Sequence, residues 1–267
     1  MRNAERRKYR NIIIALSLLV FLEGIFIVAL WVKRPAEKPV PAVPKKPAVR
    51  ATIAIVIDDW GYNLHNLEAL ERIDFPFTAA VLPRLPYSAQ IARELHDRGH
   101  EVILHLPMEP REKINLEKNT VMTSMDAQEI IRIMGQDLDS IAYAKGVSNH
   151  MGSRATEDER TMKAVFKELK RRNLYFLDSF VSARSACAQV AAQTGLAFAK
   201  RDIFLDNKSD PAYIKGQVQK LKSLARARGS AIGIGHDRVS TFAVLKEVVP
   251  QLRKEGYKLV FVSDLTR

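Results

Sequence analysis

The chain has 267 residues, of which 47% are hydrophobic and 27% charged, a composition that is typical of a folded globular protein and excludes wholesale disorder. Its single cysteine, Cys187, excludes an internal disulfide framework and a cysteine-rich zinc module. The formal net charge of +12 is concentrated near the N-terminus, because residues 1–50 carry +8 and residues 51–267 only +4. A nucleic-acid-binding surface needs cations clustered on the folded domain, so this distribution argues against one.

The N-terminal segment predicts a membrane anchor. Residues 11–32 form an apolar run of 22 residues with one charge, Glu23, and about 20 helical residues suffice to cross a bilayer. Residues 1–10 form a basic tail, which favours a cytoplasmic N-terminus. We therefore expect a single-pass protein of the inner membrane with its C-terminal domain outside the cytoplasm. The alternative is a cleaved signal peptide, but its apolar region would be shorter and a small-residue cleavage site would follow it.

Residues 33–50 predict a linker. They contain five of the chain's 12 prolines, and such a segment favours an extended polyproline conformation over a helix or a sheet ladder. We interpret it as a solvated spacer without a binding role of its own.

Residues 51–267 predict one α/β domain. Eight short apolar segments read as strands: 53–57, 77–82, 101–106, 146–149, 174–178, 196–200, 231–235 and 258–262. Helix signals lie between them, including a capping box at 156–159, the cap Asp210 before Pro211, and closing glycines at 99, 229 and 256. Strands that alternate with helices indicate a mostly parallel sheet. Seven or eight strands favour a closed or nearly closed (β/α) barrel over a doubly wound sheet, and no glycine-rich nucleotide motif follows the first strand.

Polar residues collect where the predicted strands end. Asp58 and Asp59 follow the first strand, and three of the six histidines follow others: His105, His150 and His236. In parallel α/β folds the carboxyl ends of the strands meet at one edge, where the site lies. We therefore expect these side chains to converge.

The paired acids and the histidines predict a metal site. Neighbouring strand residues point to opposite sides, so Asp58 and Asp59 should have different roles, one as a metal ligand and the other as a base or orienting group. A carboxylate with two imidazoles and an open position is typical of catalytic Zn²⁺ or Fe²⁺ sites. The alternative is that the two acids cap the following helix. The convergence of Asp and His at successive strand ends favours the site.

Three segments resemble the divergent branch of the polysaccharide deacetylases of the NodB-homology group. They are IAIVIDDWG (53–61), RELHDRGHEVILH (93–105) and RGSAIGIGHDRVSTFAVLKEVVPQLRKEGYKLVFVSDL (228–265). The resemblance covers about residues 52–265 and implies a distorted (β/α) barrel that hydrolyses N-acetyl groups of amino sugars, or related amides and esters, with a divalent metal. It also implies that Asp58 is the general base, Asp59 a metal ligand and His236 the general acid.

The chain departs from the family's second motif, in which two histidines stand four residues apart. His105 matches the first histidine, but Glu109 occupies the second position. We favour His150, from the next strand end, as the third metal ligand. Glu109 remains the alternative ligand, or a group that orients His105 without touching the metal.

Weaker signals surround this group. Asp178 follows the fifth strand and either orients His236 or His105, or caps a helix. Arg154 either stabilises an anionic intermediate or is simply solvated, and Trp60 either stacks on a sugar ring or packs in the core. Asp206 and Asn207 predict a turn.

The sequence thus predicts an envelope-facing deacetylase that uses a divalent metal, with Zn²⁺ preferred, to act on a glycan. The first alternative is a non-catalytic carbohydrate-binding or envelope-organising protein that retains the barrel. The second is a peptidase or esterase that uses the same metal site. No protein partner is indicated.

Overall fold

The computed structural model describes residues 2–33, 49–70 and 73–267, which fall into an N-terminal helix and a separate domain. Helix α1 covers Arg2–Val32 and contains the predicted apolar run. An 18-residue stretch within its segment Arg6–Val32 has a mean hydropathy of 2.8, so this helix is long and apolar enough to cross a membrane. The predicted proline-rich linker, residues 33–50, lies almost wholly outside the described residues.

The domain alternates strands with helices along the chain. The strands are β1 (Ala51–Trp60), β2 (Thr78–Val81), β3 (Glu101–Met108), β4 (Gly146–Met151), β5 (Tyr175–Asp178), β6 (Phe198–Lys200), β7 (Ile203–Phe204), β8 (Ser230–His236) and β9 (Tyr257–Val260). The helices are α2 (Leu67–Leu70), α3 (Ser88–Asp97), α4 (Ala127–Ser140), α5 (Glu159–Arg171), α6 (Cys187–Thr194), α7 (Pro211–Arg228) and α8 (Val239–Lys254), with single 3₁₀ turns at Ala155–Glu157 and Val262–Leu265.

The sheet is parallel throughout, in the order β6-β5-β4-β3-β2-β1-β8-β7, with β9 as an additional partner of β1. All eight predicted strands are confirmed in location. The two-residue strand β7 was not predicted, since its apolar run is too short to show a period.

The barrel is distorted around β1. Strand β8 pairs with β1 from Thr52 to Asp58, which occupies one edge of the strand. The other edge is shared, because β9 pairs with its first four residues and β2 with its last part, from Val56 to Trp60. The predicted parallel barrel is therefore confirmed. It is distorted because β9 pairs with the start of β1, on the same edge that β2 pairs with further along.

The two ends of the sheet are joined by only two residues, Arg201 and Asp202. Three residue steps span at most about 11 Å, so β6 and β7 cannot separate widely. Arg201 N donates to Asp178 O (3.0 Å), and Asp202 N donates to Ile232 O (2.9 Å). These contacts bring the ends of the sheet together as a curved, nearly closed barrel.

Strand alternation produces two apolar layers. Along β1, Ile53, Ile55 and Ile57 pack against the surrounding helices, whereas Ala54 and Val56 belong to a smaller cluster inside the barrel. The same alternation sends side chains of β3, β4 and β8 inward near their carboxyl ends. The site is built on this inner face.

Two of the predicted helix starts behave differently. Asp210 caps α7 as predicted, with its carboxylate accepting from Tyr213 N at 2.8 Å and Pro211 in the first turn. The predicted capping box at 156–159 is wrong in register. Helix α5 is capped by Asp158, because Thr156 lies in the preceding 3₁₀ turn and donates to Gly152 O.

Candidate functional site

The end of β1 carries a bulge that decides which side chains reach the site. Asp59 has a φ of 66°, a left-handed conformation that Asp tolerates better than most residues. The register with β2 shifts between Ile57 and Trp60. Asp58 and Asp59 therefore lie beside the same nitrogen, His105 Nε2, at 3.6 and 3.4 Å. The prediction that the two acids point to opposite sides is wrong, because it assumed a regular strand.

Three side chains converge at this point and are here called the Asp59 group: Asp59, His105 and His150. Asp59 Oδ1 lies 3.4 Å from His105 Nε2 and 3.1 Å from His150 Nδ1. One donor atom from each of the three lies within 4.8 Å of the others, which is close enough for a single metal ion. The imidazole rings meet edge to face, with centroids 5.0 Å apart.

Each imidazole also has a neighbour on its outer nitrogen. His105 Nδ1 hydrogen-bonds Ser148 Oγ at 2.8 Å, within the buried end of the barrel. Glu117 Oε2 lies 3.5 Å from His150 Nε2. Since partners on the outer nitrogen set the orientation and tautomer of a ligating imidazole, these contacts bear on what the rings can bind.

The pKa values of the two adjacent acids shift in opposite directions. Burial raises the pKa of Asp58, although the nearby His105 partly opposes the shift. Burial would also raise the pKa of Asp59, but hydrogen bonds from His105 and His150 outweigh it and hold that pKa well below its usual range. For His150, burial lowers the pKa, but the hydrogen bond to Asp59 leaves it above the ordinary value. The acids therefore differ in proton affinity despite their adjacency.

The opposite side of the site holds a second imidazole unit, here called the His236 pair: His236 and Asp206. His236 Nδ1 lies 2.7 Å from Asp206 Oδ1. Asp206 Oδ2 accepts from His236 N (2.8 Å) and Thr241 Oγ1 (2.6 Å). Burial lowers the pKa of His236, but Asp206 more than compensates and raises it. Phe204 stacks nearly parallel to the imidazole, with centroids 6.0 Å apart.

The His236 pair lies beside Asp58. His236 is the β8 residue directly opposite Asp58 in the parallel register, and neighbouring strands run about 4.8 Å apart. Asp237 N donates to Asp58 O at 2.9 Å, which locks the two strand ends together. Asp58 Oδ1 is buried and makes no hydrogen bond in the part of the chain that the structure describes.

Glu109 and Arg154 are placed away from the Asp59 group. Glu109 Oε2 accepts from both the backbone and the hydroxyl of Thr123, at 2.6 Å each. Its other oxygen accepts from Arg154 Nη1 at 3.2 Å. Both carboxylate oxygens therefore hold the loop after β3 in place, and Arg154 is paired with Glu109 at the protein surface.

Asp178 and Trp60 also lie outside the converging group. Asp178 falls on the same side of its strand as Phe176, toward the helices, and accepts from Ser185 Oγ and Phe180 N at 2.7 Å each. It therefore touches neither His236 nor His105. Trp60 is wholly buried and packs against Phe242, because the bulge at Asp59 turns it toward the helices. It offers no face to a sugar.

Sequence reasoning missed Asp206, Ser148 and Glu117. Asp206 was interpreted as a turn, because β7 before it has only two residues. Ser148 had a usable signal, since it lies two residues before His150 on the same face of β4. Glu117 lies in a loop, where no sequence pattern indicates that it approaches His150.

The sequence matches the family described as divergent polysaccharide deacetylase over residues 55–266. It is 40% identical over 206 residues to the uncharacterized protein YibQ of Escherichia coli (strain K12), covering 77% of this chain and 65% of that protein. The chain thus spans just under two thirds of YibQ. A protein of Haemophilus influenzae is 32% identical over 218 residues, covering 82% of this chain and 78% of its own length.

Solved structures share the fold. An uncharacterized protein of Agrobacterium tumefaciens C58, ATU2773, superposes with a TM-score of 0.78 at 24% identity, covering 83% of this chain and 92% of the other. A structure described as the T48 deacetylase with substrate superposes with a TM-score of 0.52 at 17% identity, covering 80% and 90%. At these identities the likeness concerns the fold alone. Because the family match spans most of the chain, this protein belongs to the divergent polysaccharide deacetylase family.

Proposed function

We propose that this protein is a membrane-anchored, envelope-facing hydrolase that removes N-acetyl or O-acetyl groups from a glycan with the help of a divalent metal. The observation that carries the proposal is the convergence of Asp59, His105 and His150 beside the buried Asp58 and the His236 pair. Membership of a polysaccharide deacetylase family supports the substrate class.

The donor set of the Asp59 group fits a catalytic metal site. Zinc bonds of 2.0–2.1 Å in a tetrahedron separate adjacent ligand atoms by about 3.3 Å, and the two distances from Asp59 Oδ1 are 3.4 and 3.1 Å. One carboxylate with two imidazoles leaves a position open for water or substrate. We assign His105 Nε2 and His150 Nδ1 as the nitrogen ligands. When bound there, a divalent cation supplies Lewis acidity that activates a water and polarises the acyl carbonyl.

The surroundings of Asp58 support a role as proton acceptor. Its Oδ1 makes no hydrogen bond within the described residues, and its Oδ2 lies 3.6 Å from His105 Nε2. In the proposed mechanism Asp58 takes the proton of the water that attacks the acyl carbon. Proton transfer of this kind contributes roughly 10²–10⁴-fold to a hydrolytic rate.

The contacts of His236 support a role as proton donor. Asp206 pairs with Nδ1 and raises the pKa of His236, which favours the form of the ring in which Nε2 also carries a proton. In the proposed mechanism His236 gives this proton to the departing amine or alcohol. The ring of Phe204 lies nearly parallel to the imidazole on one side of it.

The cellular location forms a separate part of the proposal. The apolar run of residues 11–32, which lies within the helical segment Arg6–Val32, would anchor the chain, and the basic tail of residues 1–10 before it supports a cytoplasmic N-terminus. A reporter fused after Arg267 should be active only outside the cytoplasm. Activity of a cytoplasm-specific reporter at that position would instead indicate that the C-terminal domain lies in the cytoplasm.

The decisive experiment combines metal analysis with deacetylation. The full-length protein, purified in detergent and loaded with Zn²⁺, should bind one equivalent and release acetate from N-acetylated glycan fragments. Release should stop when the metal is removed by a chelator and resume when it is restored. Metal binding without hydrolysis across a broad glycan panel would instead favour a carbohydrate-binding protein that retains the barrel.

A further inference from the structure

The loop between β3 and α4 is fastened at its base and reaches back to the site. Met108 and Val121 form an isolated parallel bridge. Glu109 N donates to Val121 O, and Val121 N donates to Pro107 O, both at 2.9 Å. Residues 110–120 therefore form a closed excursion whose two ends are fixed to the end of β3.

Glu117 lies near the end of this excursion and faces the Asp59 group. Its carbonyl oxygen accepts from Thr120 Oγ1 at 2.7 Å, which fixes the local backbone. Its carboxylate lies between two residues of other elements. Tyr62 OH donates to Oε1 at 2.7 Å, and His150 Nε2 lies 3.5 Å from Oε2. Glu117 is thus held by Tyr62 and directed at the outer nitrogen of His150.

That nitrogen needs a partner. His150 Nε2 is buried and makes no hydrogen bond in the portion of the chain that the structure describes, and a buried polar atom left unpaired costs about 1–3 kcal/mol. The carboxylate of Glu117 is a hydrogen-bond acceptor without a donor role when ionised. After a shift of a few tenths of an ångström, it can therefore accept a hydrogen bond from a protonated Nε2.

The choice of nitrogen decides whether His150 can bind a metal. A neutral imidazole carries one proton, and the other nitrogen keeps its lone pair. A proton on Nε2, next to Glu117, leaves the lone pair of Nδ1 directed at Asp59, 3.1 Å away. His105 differs in this respect, because its outer nitrogen meets the neutral hydroxyl of Ser148.

We propose that Glu117, held by Tyr62, is a positioning residue that keeps the His150 proton on Nε2 and so presents Nδ1 to the metal. This inference rests on the proposed function, since it concerns the same metal site. The role requires an oxygen acceptor behind Nε2, and loss of a hydrogen-bond partner behind an imidazole ligand typically weakens metal binding 10- to 100-fold.

The test measures Zn²⁺ affinity of the full-length protein by competition with a chromophoric chelator. Glu117→Ala should weaken Zn²⁺ binding by about 10- to 100-fold. Glu117→Gln keeps an oxygen acceptor and should retain most of the affinity, whereas Tyr62→Phe should cause a loss of less than about tenfold. Glu112→Ala is the matched control, because Glu112 lies in the same loop and contacts Ser153 instead; its affinity should equal that of the unmodified protein.

Three outcomes would overturn the role of Glu117. The first is Zn²⁺ binding by Glu117→Ala as tight as that of the unmodified protein, which would leave the proposed function intact. The second is an equal loss in the Gln and Ala variants, which would assign the effect to charge. The third is absence of Zn²⁺ binding in the unmodified protein, which would overturn the proposed metal site as well.

A stability control separates positioning from folding. The thermal unfolding temperature of each metal-free variant should match that of the metal-free unmodified protein. A large drop in this temperature for Glu117→Ala would show that the residue has a structural role.

Discussion

The Asp59 group and the His236 pair use imidazole in opposite ways. In the Asp59 group two ring nitrogens converge on a single carboxylate oxygen, at 3.1 and 3.4 Å. In the His236 pair one ring meets a buried carboxylate whose two oxygens accept three hydrogen bonds. Convergent donors around one oxygen suit a cation, whereas a saturated carboxylate suits the retention of a proton on the ring. Substitutions in the first unit should therefore change binding, and those in the second should change rate.

The largest effect should come from the shared oxygen of the Asp59 group. Asp59→Asn replaces a carboxylate by a neutral amide, which is a weaker ligand. We expect Zn²⁺ affinity to fall by more than about 100-fold, beyond the loss typical of residues that only support a ligand. His150→Ala should behave similarly. Metal content after dialysis against a weak chelator measures both variants.

Glu109→Gln is the control for this prediction. Its carboxylate holds Thr123 and Arg154, so most of the bound Zn²⁺ should remain. If Glu109→Gln lost the metal while His150→Ala kept it, the third ligand would be Glu109, and the Asp59 group would need to be redrawn.

The next effect separates proton transfer from metal binding. Asp58→Asn and His236→Ala should keep their Zn²⁺ and lose roughly 10²–10⁴-fold in rate, since each removes one proton-transfer group. The measurement is acetate release beside metal analysis on the same preparations. Full activity of either variant on a substrate that the unmodified protein cleaves would contradict the assigned role.

A smaller effect sharpens the role of the His236 pair. Asp206 raises the pKa of His236 against the effect of burial, so Asp206→Asn should lower that pKa. A general acid is lost as the pH rises through its pKa, so the alkaline limb of the rate profile should move to lower pH. A shift of about one unit corresponds to roughly tenfold lower activity at pH values above both pKa values. An unchanged profile would show that Asp206 has only a structural role.

The smallest effect comes from a buried acid outside both units. The side chain of Asp137 in α4 is wholly buried, with Arg84 Nε 2.9 Å away, and burial raises its pKa to about 6. The unfolded value is about 3.9, so ionisation destabilises the native domain as the pH rises from about 4 through 6. Asp137→Asn cannot ionise. Its free energy of unfolding should exceed that of the unmodified protein by about 1–2 kcal/mol at pH 7.5 and converge with it at pH 4.

Urea titrations at both pH values test this prediction, with acetate release expected to be unchanged. A difference of equal size at both pH values would point to packing in place of ionisation. A loss of Zn²⁺ would show that the variant disturbs the Asp59 group from a distance.

The sequence predicted the fold well because its signals are local and repeated. Eight apolar segments with intervening helix caps suffice to indicate a parallel barrel. Strand ends then place Asp58, His105 and His236 at one edge, and alternation sends them inward. These residues could be chosen from the sequence because, in a regular strand, the number of residues from a known inward-facing position fixes the face on which a side chain lies.

The failures occur where the chain is irregular. The bulge at Asp59 breaks the alternation, so the two acids share a side and Trp60 moves to the core. Asp206 follows a strand of two residues, too short to be read from the sequence. Glu117 reaches His150 from a loop, and its approach depends on how that loop is folded back by the bridge at Met108.

The bulge at Asp59 lets the backbone conformation of one residue decide both the packing of the core and the chemistry of the site. A regular strand of the same length would turn Trp60 toward the site and the Asp59 carboxylate toward Phe242. Removal of Asp59 would also restore regular alternation, but it would leave Trp60 on the helix face and take one carboxylate from the site. A β-branched residue resists the positive φ of 66° at this position, so Asp59→Val should disturb core packing as well as metal binding.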